Sequence, residues 1–221
     1  MLLSYSISII GNRGVFNQLY ILGGVIMIKK WVITGAMAFG LLVSAPVSGF
    51  AAMGDHTLRP GTWDNDVYEL QGKLKAMGYF DFAVTTGYYG PVTKDAVIKY
   101  QKAKGLLVDG IAGQQTFNSI QNNIQRKGMT VAATAYTANC EGCSGTTSSG
   151  TNLKEIPYAK VIAVDPDVIP MGSVVYVPGY GYAVAADTGG GINGNEIDVY
   201  MQNYSDAVNW GRKNVNITII N

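Results

Sequence analysis

The chain has 221 residues, of which 48% are hydrophobic and 14% are charged, and its formal net charge at pH 7 is +1. This length accommodates one or two domains, and a charge so near zero argues against a nucleic-acid-binding protein. The single histidine, His56, lies far in the sequence from the acidic second half. Serine and cysteine hydrolases need a positioned imidazole, and zinc peptidases and amidases need several histidine ligands. These classes are therefore disfavoured, whereas catalysis by carboxyl groups is not.

The first fifty residues have the pattern of an export signal. Two lysines follow Met27, an apolar run extends from Trp31 to about Leu42, and small residues continue to Ala52. The pattern predicts a secretory signal peptide over residues 27–51, with cleavage after Ala51. A membrane anchor is the alternative, but the apolar run is short for a span. We interpret residues 1–26 as an upstream mis-start, with a genuine extra apolar segment as the alternative.

The next segment has the apolar spacing of short helices. Val67, Leu70 and Leu74 recur at helical intervals, and Gly78 follows as a stop. The same reasoning predicts helices over about 65–77, 90–105 and 114–125, followed by a short linker over 125–128.

Several spaced motifs in this segment carry a resemblance. They are VYELQ (67–71), LKAMGY (74–79), GYYGPVT (87–93), YQKAKGL (100–106) and VDGIAG (108–113). Together they resemble the small three-helix peptidoglycan-binding domain of many cell-wall hydrolases, over about residues 64–122. The resemblance implies an all-α domain that binds peptidoglycan, with Tyr79, Phe80 and Tyr89 as candidates for exposed rings that stack on sugars. Thr86 and Gln114 depart from the residues usual in that family, Asp and Pro.

The last part of the chain has the pattern of short strands. We predict strands near 130–137, 160–164, 173–177, 181–186, 196–201 and 214–220, and one short helix from Tyr204 to Trp210, with Trp210 in the core. Six short strands in about 90 residues indicate a small closed barrel. Residues 129–221 hold eight acids against four bases, so the acids outnumber the cations available to pair with them.

Motifs in this part also occur in a recognisable order. They are TAYTA (134–138), CEGCSG (140–145), VDPDVIPMGS (164–173), ADTGG (186–190), GNEIDVY (194–200) and NWGRK (209–213). They resemble the 3D domain, named for three aspartates, over about residues 129–221. That family is similar to the catalytic barrel of the MltA-type lytic transglycosylases and to stationary-phase survival muralytic proteins. The resemblance implies an all-β, six-stranded double-psi β-barrel, so the expected fold is two domains, the small all-α one followed by this barrel.

The glycine-rich loop departs from that family at three positions. Gly191, Asn193 and Glu196 stand where the family commonly has Ala, Lys and Arg. Two cations are thus lost near the expected site and one anion is gained. This change bears on substrate affinity and on the pKa of the catalytic acid.

Three aspartates, Asp165, Asp187 and Asp198, are the candidate catalytic residues. Cleavage of a glycosidic bond needs an acid that protonates the leaving oxygen, and its pKa must be raised by burial or by a neighbouring negative charge. Asp198 lies between Ile197 and Val199, which favours burial, and by resemblance it matches the catalytic aspartate of the MltA-type enzymes. Asp187 is expected to be the neighbouring carboxylate that raises the pKa of Asp198 or stabilises positive charge. A structural hydrogen-bonded pair is the alternative for Asp187 and Asp198, and a turn cap is the alternative for Asp165.

Four further residues are candidates for substrate binding. The Thr188 hydroxyl and the Gly189 and Gly190 amides are expected to hold sugar groups, and Tyr136 to stack on a sugar, bond the aspartates or pack in the core.

Cys140 and Cys143 enclose two residues and allow a disulfide, free thiols or a metal site; secretion favours the disulfide. The spacing of the aspartates is not that of a known calcium loop. We therefore expect no metal and no cofactor.

Together, these features predict a secreted, cell-wall-associated enzyme that cleaves the glycan strands of peptidoglycan. A lytic transglycosylase with Asp198 as general acid and base, forming 1,6-anhydromuramyl products, is the leading hypothesis. A muramidase with the same site and a non-catalytic wall-binding protein are the alternatives. We expect a monomer that binds no nucleic acid and has no stable membrane association once the signal is removed.

Overall fold

The chain folds into two compact units, Met1–Ser48 and Gly49–Asn221. The computed structural model describes residues 6–11, 15–22, 25–32, 56–139 and 143–221. In the first unit, strands β1 (Ser6–Gly11), β2 (Val15–Leu22) and β3 (Val25–Val32) form an antiparallel sheet in that order.

Most of the predicted signal peptide, including the cleavage position after Ala51, lies outside the described residues. The signal peptide and the interpretation of residues 1–26 therefore stay predictions. Within the described part of the chain, no helix combines the length and the apolar character that a bilayer crossing requires.

The second unit begins with the three predicted helices, which the structure confirms. They are α1 (Asn65–Ala76), α2 (Pro91–Lys104) and α3 (Gln114–Asn122). Asp64 caps α1 by accepting the Asp66 amide at 2.9 Å, and Pro91 occupies the first turn of α2, where its missing N–H costs nothing. Gly105 ends α2 with φ of 63°, a left-handed conformation that favours glycine.

The aromatic residues that we expected on the helical surface are mostly inside it. Tyr89 is fully buried and its hydroxyl donates to the Gly110 carbonyl at 2.9 Å, while Phe80 is also buried. Tyr79 is half-buried and lies edge-on to Tyr100 at 5.2 Å between ring centroids. The expectation of exposed rings was therefore wrong for Phe80 and Tyr89, because a domain this small needs their apolar area for its core.

The remaining strands form the closed six-stranded barrel that the sequence predicted. They are β4 (Arg126–Tyr136), β5 (Val161–Val164), β6 (Val174–Val177), β7 (Gly181–Asp187) and β8 (Glu196–Tyr200), then, after helix α4 (Tyr204–Trp210), β9 (Lys213–Ile220). The order around the barrel is β4-β8-β5-β7-β6-β9, with β4/β8 and β5/β7 parallel and the other pairs antiparallel. The predicted linker was wrong in part, since Arg126–Gly128 already pair with β9.

The barrel interior is filled by alternate side chains of its strands. Ile162, Val175, Ile197 and Val199 are buried in this core, and Trp210 of α4 closes it, as predicted. Strands buried on both faces, such as β5, read as continuous apolar runs for this reason.

Helix α1 packs directly on strands β6 and β7, so the helical domain and the barrel belong to one compact unit. Gly72 permits the close approach, because a Cβ at this position would lie 3.1 Å from Val174 Cγ1. Beside it, Lys73 forms a buried ion pair with Glu69, and the Tyr182 hydroxyl donates to Glu69 at 3.3 Å. These contacts fix α1 against the barrel wall.

Candidate active site

Four neighbouring strands place Thr134, Asp198, Ala163 and Asp187 in one row. Thr134 of β4 pairs with Asp198 of β8, Asp198 pairs with Ala163 of β5, and Ala163 pairs with Asp187 of β7. The β5–β7 register shifts just before Ala163, and this irregularity brings Asp187 into the row. Such bulges often re-aim a side chain beside an active site. With one strand between them, the two aspartate backbones lie roughly 10 Å apart, and Ala163 contributes only a methyl group at the intervening position.

Asp198 has the environment that a general acid requires. It is half-buried between Ile197 and Val199, which are fully buried. Burial raises the pKa of its carboxyl group, the charge of Asp187 raises it further, and a hydrogen bond from Thr134 opposes the shift. The Oδ1 atom is buried and has no hydrogen-bond partner among the described residues. An unpartnered buried carboxyl oxygen favours the protonated form of Asp198, which is the form that a general acid needs.

Asp187 is held by three donors. The Tyr136 hydroxyl donates to Oδ2 at 2.9 Å, and the amides of Ser148 and Thr188 both donate to Oδ1 at 2.9 Å. Burial, followed by the charge of Asp187, raises the pKa of Tyr136 well above its usual range, so Tyr136 remains a donor. Of the three interpretations of Tyr136, the structure shows two, the hydrogen bond to an aspartate and packing against a buried apolar cluster.

Asp165 lies at the other end of the glycine-rich loop and has a different role. Its Oδ2 accepts the Gly194 amide at 2.7 Å and its Oδ1 accepts the Asp167 amide at 3.0 Å. These hydrogen bonds lower the pKa of Asp165, which disfavours it as a proton donor. The geometry favours the turn-capping interpretation, in which Asp165 anchors the loop that joins β7 to β8.

The loop itself is exposed. Thr188, Gly189 and Gly190 are all accessible to solvent, and the Ile192 amide donates back to the Gly189 carbonyl at 3.0 Å. The Thr188 amide is engaged by Asp187, so only its hydroxyl matches the predicted binding role. Substrate binding by these three residues stays a prediction.

Glu196, which stands where the 3D family commonly has arginine, has a counter-ion in this structure. Arg212 Nη2 lies 2.6 Å from Glu196 Oε1, and this contact lowers the pKa of Glu196. The extra negative charge expected near the site is therefore paired. The loss of two cations, at positions 193 and 196, is not compensated by this contact.

A pocket of about 170 Å³ opens beside Asp187. Its lining consists of the end of β4 and the following loop, namely Tyr136, Thr137, Ala138, Cys143, Ser144, Gly145, Thr146, Leu153 and Asp187. Cys143 is disulfide-bonded, as the secretion argument favours, and Cys140 lies outside the described residues. The cross-link lies at the pocket wall.

A cluster of side chains that could bind a metal ion lies outside the candidate active site. Among the described residues, the group of this kind is His56, Asp64 and Asp66 in the helical domain. The two ring nitrogens of His56 face different carboxylates, at 3.8 Å from Asp64 and 3.7 Å from Asp66, which suits an ion pair better than a shared metal.

Sequence reasoning did not assign roles to three residues that shape this site. Thr134 opposes the rise in the pKa of Asp198, Ser148 supplies an amide to Asp187, and Arg212 neutralises Glu196. Thr134 and Arg212 both lie in the motifs quoted above, and membership of these motifs is the signal that could have identified them. Ser148 contributes only its backbone, which leaves no mark on the sequence.

Fold and site together define a helical module docked on a barrel that carries paired carboxyl groups. Residues 64–120 match the family described as "Putative peptidoglycan binding domain", and residues 160–221 match the family described as "3D domain". The chain therefore contains a segment that matches each of these two families, in the expected order, which confirms both resemblances over the matched residues.

Three curated relatives share parts of this arrangement. "Putative cell wall shaping protein YabE" of Bacillus subtilis (strain 168) is 53% identical over 133 residues, covering 58% of this chain and 33% of its own length. "Cell wall-binding protein YocH" of the same organism is 57% identical over 104 residues, covering 47% of this chain and 36% of its own. "Spore cortex-lytic enzyme" of Bacillus cereus is 31% identical over 123 residues, covering 55% of this chain and 43% of its own. The chain thus spans about a third of the length of the first two relatives.

Proposed function

We propose that this protein acts on the bacterial cell wall, where it cleaves the glycan strands of peptidoglycan with Asp198 as general acid and base. The observation that carries the proposal is the Asp198 carboxyl group, whose pKa is raised by burial and by Asp187 and whose Oδ1 atom lacks a partner among the described residues. The peptidoglycan-binding domain supports the substrate class. A relative named for cortex lysis supports a lytic activity, and one named for wall binding supports the location.

The same geometry supports a transglycosylase reaction. Protonated Asp198 donates its proton to the glycosidic oxygen as the C1–O bond breaks, and the carboxylate then accepts the proton of the substrate's own C6 hydroxyl as its oxygen bonds to C1. No water is consumed, and the acid returns to its starting state with a 1,6-anhydro product. Asp187, fixed by Tyr136 and two amides, stabilises positive charge at the sugar and maintains the raised pKa of Asp198.

The location and state of the protein follow from the same proposal. A secreted, wall-associated monomer fits the predicted signal peptide over residues 27–51 and the peptidoglycan-binding domain. Cys143 is disulfide-bonded, which is typical of an oxidising compartment outside the cytoplasm.

Wall binding without catalysis is the second candidate. The relative with 57% identity is named only for binding to the cell wall. In this case the barrel is a second binding module, and its aspartates have no catalytic role.

Digestion of purified sacculi distinguishes the catalytic function from wall binding without catalysis. The native protein should release soluble muropeptides, the Asp198→Asn variant should release none while sedimenting with sacculi as well as the native protein does, and Asp206→Asn should behave as native. Asp206 is the matched control because it is an exposed aspartate on α4 of the same barrel. Activity retained by Asp198→Asn would refute the assignment of the acid, and binding without release by the native protein would leave the binding function.

A further inference from the structure

Three aromatic rings cluster on the surface where the two domains meet. Trp63 and Tyr88 of the helical domain stack at 4.7 Å between ring centroids, and Tyr158 of the barrel domain lies edge-on to Trp63 at 5.2 Å. All three are exposed, Trp63 by 57%, Tyr158 by 42% and Tyr88 by 37%. Exposed clusters of large aromatic residues are unusual on a protein without a ligand for them.

The backbone holds these rings in place. Trp63 and Tyr88 form an isolated antiparallel bridge, and the buried Gln71 side chain donates to the Tyr88 carbonyl at 2.8 Å. The Tyr68 hydroxyl of α1 donates to the Tyr158 carbonyl at 2.7 Å across the domain boundary. Because these contacts use main-chain atoms, the platform is ordered before any ligand arrives, which lowers the entropy cost of binding.

Two of the rings, Tyr88 and Tyr158, line a groove of about 200 Å³, here called the junction groove. Trp63 packs against both of these rings and so extends the aromatic surface beyond the groove. Aromatic and aliphatic side chains form its walls and threonines and a glutamine add polar atoms, the full lining being Gln71, Phe80, Phe82, Thr86, Tyr88, Gly90, Pro91, Val92, Thr93 and Tyr158. None of these lining residues is charged. The groove therefore suits a neutral ligand with flat apolar faces and hydroxyl or amide edges rather than a charged peptide.

One segment of chain contributes side chains both to the pocket beside Asp187 and to the junction groove. Ser144, Thr146 and Leu153 line the pocket beside Asp187, and the same segment then carries Tyr158 at the groove before β5 begins.

We propose that the junction groove binds N-acetylated sugar rings of the glycan strand, as a second glycan site that both domains build together. The proposal rests on the proposed peptidoglycan substrate and adds where a neighbouring part of the strand lies while another part occupies the pocket of Asp187. Sugar rings stack their C–H faces on Trp63 and Tyr158, and the acetamido groups meet the polar edge of the groove.

Binding of peptide-free glycan strands tests this, with every variant made in the Asp198→Asn background so that no strand is cleaved. Trp63→Ala and Tyr158→Ala should each weaken binding about tenfold, the usual loss on truncation of an aromatic anchor. Tyr204→Ala is the matched control, since Tyr204 is a 77% exposed tyrosine of α4 outside the groove lining, and it should bind unchanged.

Fluorescence of Trp63 provides a readout in the protein with its platform intact. Because the chain also contains Trp31 and Trp210, the signal of Trp63 is the change in emission that the Trp63→Ala variant lacks. Glycan strands should produce this change, and free stem peptides should not. Unchanged affinity in both Trp63→Ala and Tyr158→Ala, or a response to stem peptides alone, would overturn the proposal. Because the readout is binding, a protein that proves non-catalytic would still give a decisive result here.

Discussion

Replacement of Asp198 by asparagine should stabilise the protein at neutral pH while it abolishes cleavage. At neutral pH the charged Asp198 carboxylate is partly desolvated and its Oδ1 atom has no partner among the described residues, which costs about 1–3 kcal/mol or more. The uncharged amide of asparagine avoids the cost of burying a charge. Because the side chain is only half-buried, solvent screens part of this cost and we take the low end, about 1 kcal/mol. For a protein of this size, that gain corresponds to an increase in Tm of about 2–4 °C.

The sign of the pH dependence follows from the raised pKa of Asp198. A carboxyl group whose pKa is higher in the folded state contributes stability below its unfolded pKa, about 3.9, and loses that contribution as pH rises through the folded pKa. The advantage of the asparagine variant should therefore be absent near about pH 3 and grow toward about pH 7.

Scanning calorimetry across this range measures both the size and the trend. Asp206→Asn, at an exposed position, should show no comparable pH-dependent gain. An Asp198→Asn variant that is less stable than native at neutral pH, or equally shifted at every pH, would refute the assignment of a buried, proton-binding carboxyl group.

Three further substitutions test the contacts around this site and the domain boundary. Asp187→Asn removes a charge that raises the pKa of Asp198, so the alkaline limit of cleavage should move to lower pH. Thr134→Val removes the opposing hydrogen bond, so the alkaline limit should move to higher pH. Shifts of this limit in the same direction in both variants would contradict the arrangement. Gly72→Leu should destabilise the protein by about 1–3 kcal/mol in chemical unfolding because α1 has no room for a side chain against β6, and a neutral result would argue against the docked arrangement. Arg212→Ala leaves Glu196 without its counter-ion, so the affinity for glycan strands should fall most at low salt; an equal fall at high salt would mean that the effect is not electrostatic.

The architecture was readable from the sequence because local signals agreed with it. Pro91 and Gly105 mark both ends of α2, and the strands are bounded by glycine and proline turns. The end of α3 and the start of β4 were less accurate, since pairing of Arg126–Gly128 with β9 is a long-range contact that no local pattern reports.

The sequence predicted which carboxyl groups form the candidate site, but it did not predict where they lie relative to one another. The apolar neighbours of Asp198 predicted its burial, but a register shift before Ala163 brings Asp187 into line with it, and nothing in the sequence marks that bulge. The burial of Tyr89 and Phe80 and the exposure of Trp63 likewise depend on how turns fold back onto the helices. Motifs indicate which residues matter, whereas tertiary contacts decide which of them meet.

The chemical identity of the released strand ends tests the central claim most directly. Sacculi are digested by the native protein in water enriched in ¹⁸O, and the products are separated and analysed by mass spectrometry. Attack by the substrate's own C6 hydroxyl predicts 1,6-anhydromuramyl ends that carry no ¹⁸O, and none of these products with Asp198→Asn. Reducing ends labelled with ¹⁸O would show hydrolysis instead, and the absence of any product from the native protein would contradict catalysis by Asp198 altogether.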